Sequence, residues 1–116
     1  MAIKESIGPL ALMEHEGGQY SLVLSDLDYR AEVFEEKDHE PSGYAWEGVV
    51  QLLLQERAPE LADRVEFDSE AGMFCAYGTD AAALRTVAGL VQETLDDPAK
   101  LAAAIDRADA ADLMDD

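Results

Sequence analysis

Positive charge is what this sequence has least of. Its 116 residues carry eight Lys and Arg against 26 Asp and Glu, a formal net charge of −18. A nucleic-acid binder needs a basic face to meet phosphates, so the roughly threefold excess of acids argues against one. It argues equally against an anionic membrane surface. Cysteine is nearly absent too. Cys75 stands alone, so no internal disulfide can form, and a reduced, cytoplasmic compartment is the simple expectation. No apolar run approaches the ~20 residues that span a bilayer. The stretch from Ile7 to Met13 is broken by Gly8-Pro9 and is too short for a signal core, so no targeting segment is expected.

Signatures of chemistry are missing as well. A catalytic thiolate needs a base or a helix N-terminus beside it. Cys75 lies among Phe74, Ala76 and Tyr77, and neither His15 nor His39 is placed by sequence to serve it, so a buried structural role is expected. Zinc asks for several Cys or His at fixed spacing, and this chain has three such residues in all. No Asp-x-Asp-x-Asp-Gly calcium loop, phosphate-cradling glycine loop or Gly-x-Ser-x-Gly elbow occurs. Glu66, Asp68 and Glu70 recur at period two, and read most plainly as the polar face of a half-exposed strand. No enzyme activity, cofactor or metal is therefore expected.

What is present is the material of a folded core. Apolar residues make up 48% of the chain and charged residues 29%, close to the globular average. The length fits one domain over residues 1–116, with the acidic tail 109–116 expected to fray. Residues 10–15 are apolar with a polar end. Gly17-Gly18 reads as a two-residue hairpin turn, because glycine tolerates positive φ. Residues 19–25 alternate, Asp26-Leu27-Asp28 reads as a turn, and residues 29–34 alternate again. Three period-two segments joined by short turns predict a meander.

After a polar loop over 35–43 the period changes. Trp46, Val49, Val50 and Leu53 recur at helical spacing from Tyr44 to about Arg57, with Leu52 and Leu54 broadening the stripe. Trp46 is placed in the core. Pro59 stops this helix and opens a short turn. Residues 65–68 and 73–77 predict two further strands, the second apolar on both faces and so central. Asp80 is an N-cap for a helix to about Leu95, and Asp97-Pro98 opens the last helix, which carries Leu101, Ile105 and Ala108. The fold class is α+β: an antiparallel sheet of about five strands with helices packed on it, in the order β-β-β-α-β-β-α-α.

The run Glu35-Glu36-Lys37-Asp38-His39-Glu40 is a solvated charge run, a surface for a basic partner or a cation site. The candidate partner-binding residues are Glu35, Glu36, Asp38 and Glu40, with Tyr44 and Glu47 at the start of the helix.

Three stretches carry a resemblance. They are Gly43-Tyr44-Ala45-Trp46-Glu47, Pro59-Glu60-Leu61-Ala62-Asp63, and Phe67-Asp68-Ser69-Glu70-Ala71-Gly72-Met73-Phe74-Cys75. In this order and spacing the chain resembles the immunity protein 51 family of bacterial polymorphic-toxin systems, over roughly Tyr20 to Leu95. The third stretch is the most specific of the three. The resemblance implies a cytoplasmic, non-enzymatic protein that needs no cofactor and binds and neutralises a cognate toxin domain made beside it. Toxins that cut nucleic acid are commonly basic, and an acidic surface speeds association with a basic partner, so a nuclease is the first expectation for the target. The alternative is a small acidic accessory or protein-interaction domain with no toxin partner. Its acidity would then reflect genome composition or a high-salt habitat. The sequence leaves the oligomeric state open.

Overall fold

The computed structural model describes the backbone over residues 2–114. Five strands form one antiparallel sheet: β1 (Ala2–Ile7), β2 (Leu10–His15), β3 (Gln19–Leu24), β4 (Glu66–Phe67) and β5 (Phe74–Gly78). Their spatial order is β1-β2-β3-β5-β4, so β5 sits inside the sheet, as its two apolar faces predict. Glycines set the hairpins. Gly8 takes φ +59 in the turn between Ile7 and Leu10, where a mirror-type turn needs a positive φ. Gly17 and Gly18 sit at φ +80 and +77. The turn there has three residues, Glu16–Gly18, because His15 pairs with Gln19; the sequence predicted two.

The strand count and the α+β class agree with the sequence reading, but one strand differs in identity. Residues 29–34, predicted as a strand, lead into the short helix α1 (Ala31–Glu36). Arg30 adopts a left-handed φ of +57, which turns the chain before the helix starts. A strand would send Val33 and Phe34 to opposite faces. Both are buried, and neighbouring residues reach one core only on a helical surface. The missing strand is β1. A bulge between Ile3 and Glu5 breaks its period, which hides it from an alternation test.

Three longer helices follow: α2 (Gly43–Arg57), α3 (Ala81–Asp96) and α4 (Pro98–Ala110). Each begins with a side-chain cap. Ser42 accepts from Ala45 N–H at 3.1 Å, Asp80 from Ala83 N–H at 3.2 Å and Asp97 from Ala99 N–H at 3.0 Å. A 3-10 turn, Pro59–Arg64, links α2 to β4 and packs Leu61 back onto the core.

The helices pack on one face of the sheet, against Leu10, Leu12, Leu22, Leu24, Phe74 and Ala76. Trp46 is fully buried, as its spacing predicts, and meets Phe34 edge-on with ring centroids 5.2 Å apart. At ~1.5–3 kcal/mol per fully buried large side chain, this layer is the main source of stability. Leu113 N–H donates to Ala108 C=O at 2.9 Å, and Leu113 and Met114 pack against the core beside Gly48. Asp115 and Asp116, the end of the expected frayed segment, lie outside the described residues.

Candidate functional site

The acidic run straddles a helix end. Glu35 and Glu36 close α1, and Asp38 and Glu40 lie in the connection to α2. Its two non-acidic residues face α4. Lys37 Nζ lies 3.0 Å from Asp106, and His39 Nε2 lies 2.8 Å from Asp109. His39 N–H also donates to Phe34 C=O at 2.9 Å. Anchoring Lys37 and His39 to α4 leaves Glu35, Glu36, Asp38 and Glu40 exposed. Tyr44 is 48% exposed, one of two large apolar side chains so displayed among the described residues, and Glu47, one turn further along α2, is half-buried. The structure thus adds Asp106 and Asp109 to this acidic surface. They lie almost seventy residues away in the chain, and no local pattern links them to the loop.

A close backbone contact ties this region to the sheet. Gly43 N–H donates to Ala71 C=O at 3.1 Å. A Cβ at Gly43 would fall on the carbonyl oxygens of Glu70 and Met73, so only glycine lets the start of α2 approach the β4–β5 turn this closely. The turn is itself closed, with Glu70 N–H donating to Met73 C=O at 2.8 Å and Met73 N–H to Glu70 C=O at 3.1 Å. The Gly43–Glu47 and Phe67–Cys75 stretches, far apart in sequence, are therefore in contact.

The second face of the sheet carries no helix. Register aligns its side chains in rows. Met13 faces Ser21, Ser21 faces Tyr77, and Tyr77 faces Glu66. In the next row Ala11 faces Val23 and Val23 faces Cys75, while Asp68 N–H donates to Cys75 C=O at 3.0 Å. Both rows run from apolar at β2 to acidic on or just after β4. With Met73 and His15, all of these residues but Glu66 line a groove of about 840 Å³. Asp68 stands in its lining, and the nearby acids act on its thiol and phenol. Burial raises the Cys75 thiol above its ordinary pKa, and the charges of Asp68 and then Glu70 raise it further. Glu66 raises the Tyr77 phenol, first through its charge and then through a hydrogen bond. Such a thiol stays protonated near neutral pH, which suits the structural role predicted for it.

His15 Nε2 lies 2.7 Å from Ser21 Oγ, the spacing of a base and a hydroxyl nucleophile. Ser21 sits on β3, which is hydrogen-bonded on both sides, so the neighbouring N–H groups belong to the ladder and are not free to stabilise an oxyanion. The pair is read as a polar contact within the groove. It escaped the sequence reading because only the register reveals it.

Four of the five arginines are held in ion pairs. Arg57 meets Glu93 at 3.2 Å, Arg64 meets Asp80 at 3.0 Å, Arg85 meets Glu5 at 2.8 Å and Arg107 meets Glu56 at 3.0 Å. Arg30 Nε donates to Leu95 C=O at 2.8 Å. Exposed pairs contribute only ~0–1 kcal/mol each to stability. Their larger effect is to cancel positive charge, leaving carboxylates to dominate the surface. Among the described residues, no group of three or more His, Cys, Asp or Glu gathers to hold a metal ion, and no helix is long and apolar enough to cross a membrane.

The family model described as immunity protein 51 matches residues 10–110. No curated protein and no solved structure matches the chain.

Proposed function

The chain belongs to the immunity protein 51 family, and from that premise we propose that it binds and neutralises a cognate toxin domain of a polymorphic-toxin system in the cytoplasm of the producing bacterium. The family match across residues 10–110 carries this reading. Inhibition is by binding alone, with no enzymatic step and no cofactor. The target is a basic domain, with a nuclease as the first candidate. A surface of net charge −18 whose arginines are engaged internally supports this, since such a field steers a cationic partner and raises its association rate. Glu35, Glu36, Asp38, Glu40, Tyr44 and Glu47 supply the steering contact. Four of these are exposed carboxylates around an exposed tyrosine. Neither nucleic acid nor a membrane is a partner in this reading.

The test is co-expression with the toxin domain encoded by the neighbouring gene. Growth should be restored for that toxin and not for unrelated ones, and the two proteins should co-purify. No rescue together with no recovered complex would overturn the reading and leave the accessory-domain alternative.

A further inference from the structure

We propose that the helix-free face of the sheet is the seat of the toxin: the groove of Ala11, Met13, Val23, Met73, Cys75 and Tyr77 receives an apolar anchor of the partner, and Glu66 and Asp68 on its flank receive an adjacent lysine or arginine. This rests on the toxin-binding reading above and adds the surface and the chemistry of what docks there.

Three observations lead to it. First, the sheet is covered on one side only. The inner face buries Leu10, Leu12, Leu22 and Leu24 beneath the helices, yet the outer face also carries apolar residues where solvent-facing positions would ordinarily be polar. Two of them, Met13 and Met73, are flexible thioethers that adapt to an incoming shape. Second, the charge across this face is graded. Each row starts apolar at β2 and ends at a carboxylate on or just after the edge strand β4, so a ligand presenting an apolar group beside a cation matches it in one orientation. A second copy of this chain would bring its own acids against Glu66, Asp68 and Glu70, and like charges juxtaposed at an interface are strongly unfavourable. Nucleic acid meets the same repulsion. A basic protein does not. Third, the groove reaches the β4–β5 turn. Met73 lines it, and the exposed carboxylates Glu66 and Asp68 stand beside its apolar residues, the polar-rimmed layout common to protein interfaces.

The experiment uses the full chain and the toxin domain that it rescues in co-expression. The variant Glu66→Lys/Asp68→Lys reverses the acidic flank, and Glu93→Lys makes a reversal on the outer side of α3, where it disturbs only an exposed pair with Arg57. The flank variant should raise Kd by roughly thirtyfold or more while Glu93→Lys stays within about threefold. Thermal melts check that both fold. A second readout needs no substitution. Met13 and Met73 line the groove and are only half-buried, and their oxidation to the sulfoxide by hydrogen peroxide, followed by peptide mass spectrometry, should slow by roughly tenfold or more when the toxin is bound. An unchanged Kd in a folded flank variant, or equal oxidation of these methionines in free and bound chain, would overturn the proposal while rescue kept the immunity reading intact. Protection of Met13 and Met73 that rises with the chain's own concentration in the absence of toxin would overturn it in favour of a second copy. If the flank variant does not fold, the oxidation result on the wild type decides.

Discussion

Gly43→Ala is the most direct test of the junction between helix and sheet. Gly43 has no positive φ, so the substitution brings no dihedral strain, and space alone sets its effect. The added methyl would overlap the carbonyl oxygens of Glu70 and Met73, which are backbone atoms and cannot swing aside like a side-chain tip. Either α2 or the β4–β5 turn must move. Overpacking of this kind costs ~1–3 kcal/mol. Loss of the bond from Gly43 N–H to Ala71 C=O adds ~0.5–1.5 kcal/mol. The better helix propensity of alanine returns less than ~1 kcal/mol. The net loss is about 0.5–4 kcal/mol, which at its upper end is a large share of a total stability of ~5–15 kcal/mol. Gly89→Ala is the control. Gly89 is an exposed residue inside α3 whose Cβ would meet nothing within 4 Å, so the same change should stabilise by ~0.5–1 kcal/mol. Urea melts of both variants give the two numbers. The expected result is midpoints shifted in opposite directions at unchanged slope. A Gly43→Ala protein with a midpoint at or above wild type would refute the close-approach argument, and with it the physical link between two of the shared stretches.

Three further outcomes are expected. Trp46→Ala should lose ~3–5 kcal/mol in denaturant melts through lost burial and a cavity, while Trp46→Phe should lose clearly less, since it keeps a ring and removes a buried indole N–H that meets no protein acceptor. Reversing Glu36, Asp38 and Glu40 to Lys should leave the melting temperature within a few degrees, as surface changes usually stay within about ±0.5 kcal/mol each, yet slow toxin association in stopped-flow measurements. Wild-type association should also slow as salt rises, and a rate independent of salt would assign the acidity to background. Asp80 is held below the ordinary carboxylate pKa, first by the Ala83 N–H and then by Arg64. A depressed folded-state value contributes stability above the unfolded pKa of ~3.9 and loses it as pH falls through the lowered value. Asp80→Ala should therefore melt below wild type near neutral pH, with the gap closing in strongly acidic buffer; a gap independent of pH would contradict the cap.

What could be read from the sequence was local. The caps at Asp80 and Asp97 and the burial of Trp46 each follow from a few neighbouring residues, and the structure places them as read. Residues 29–34 misled because Tyr29, Ala31 and Val33 alternate like a strand, while the left-handed turn at Arg30 that starts a helix leaves no such mark. β1 was hidden for the opposite reason, since its bulge breaks a real alternation. The exposed carboxylates of the acidic run were legible, but their neighbours Asp106 and Asp109 were not, because side-chain contacts across about seventy residues follow from packing and not from pattern.

The outer groove lay further out of reach for a related reason. Its residues are unremarkable one by one, and of Glu66, Asp68 and Glu70, read as the polar face of one strand, only Glu66 lies in β4, Asp68 and Glu70 falling in the connection to β5. Register gives them meaning, by placing Glu66 beside Tyr77 and Asp68 beside Cys75 at the ends of the two rows. The resemblance reached part of this by another route. Two of its three stretches meet at Gly43, and the third forms the turn that carries α2 into β4, with Arg64 C=O packed against Gly78 of β5. These stretches are first of all the joints of the fold. Gly43, Ala71 and Glu70 hold the start of α2 and the β4–β5 turn in fixed relation, and Met73 of that turn lines the groove, so folding and binding place demands on the same segment. Sequence similarity at these positions therefore cannot separate the two roles. Gly43→Ala acts on the joint and Glu66→Lys/Asp68→Lys on the exposed flank alone, and a flank variant that keeps its melt but loses the toxin is the result that would separate them.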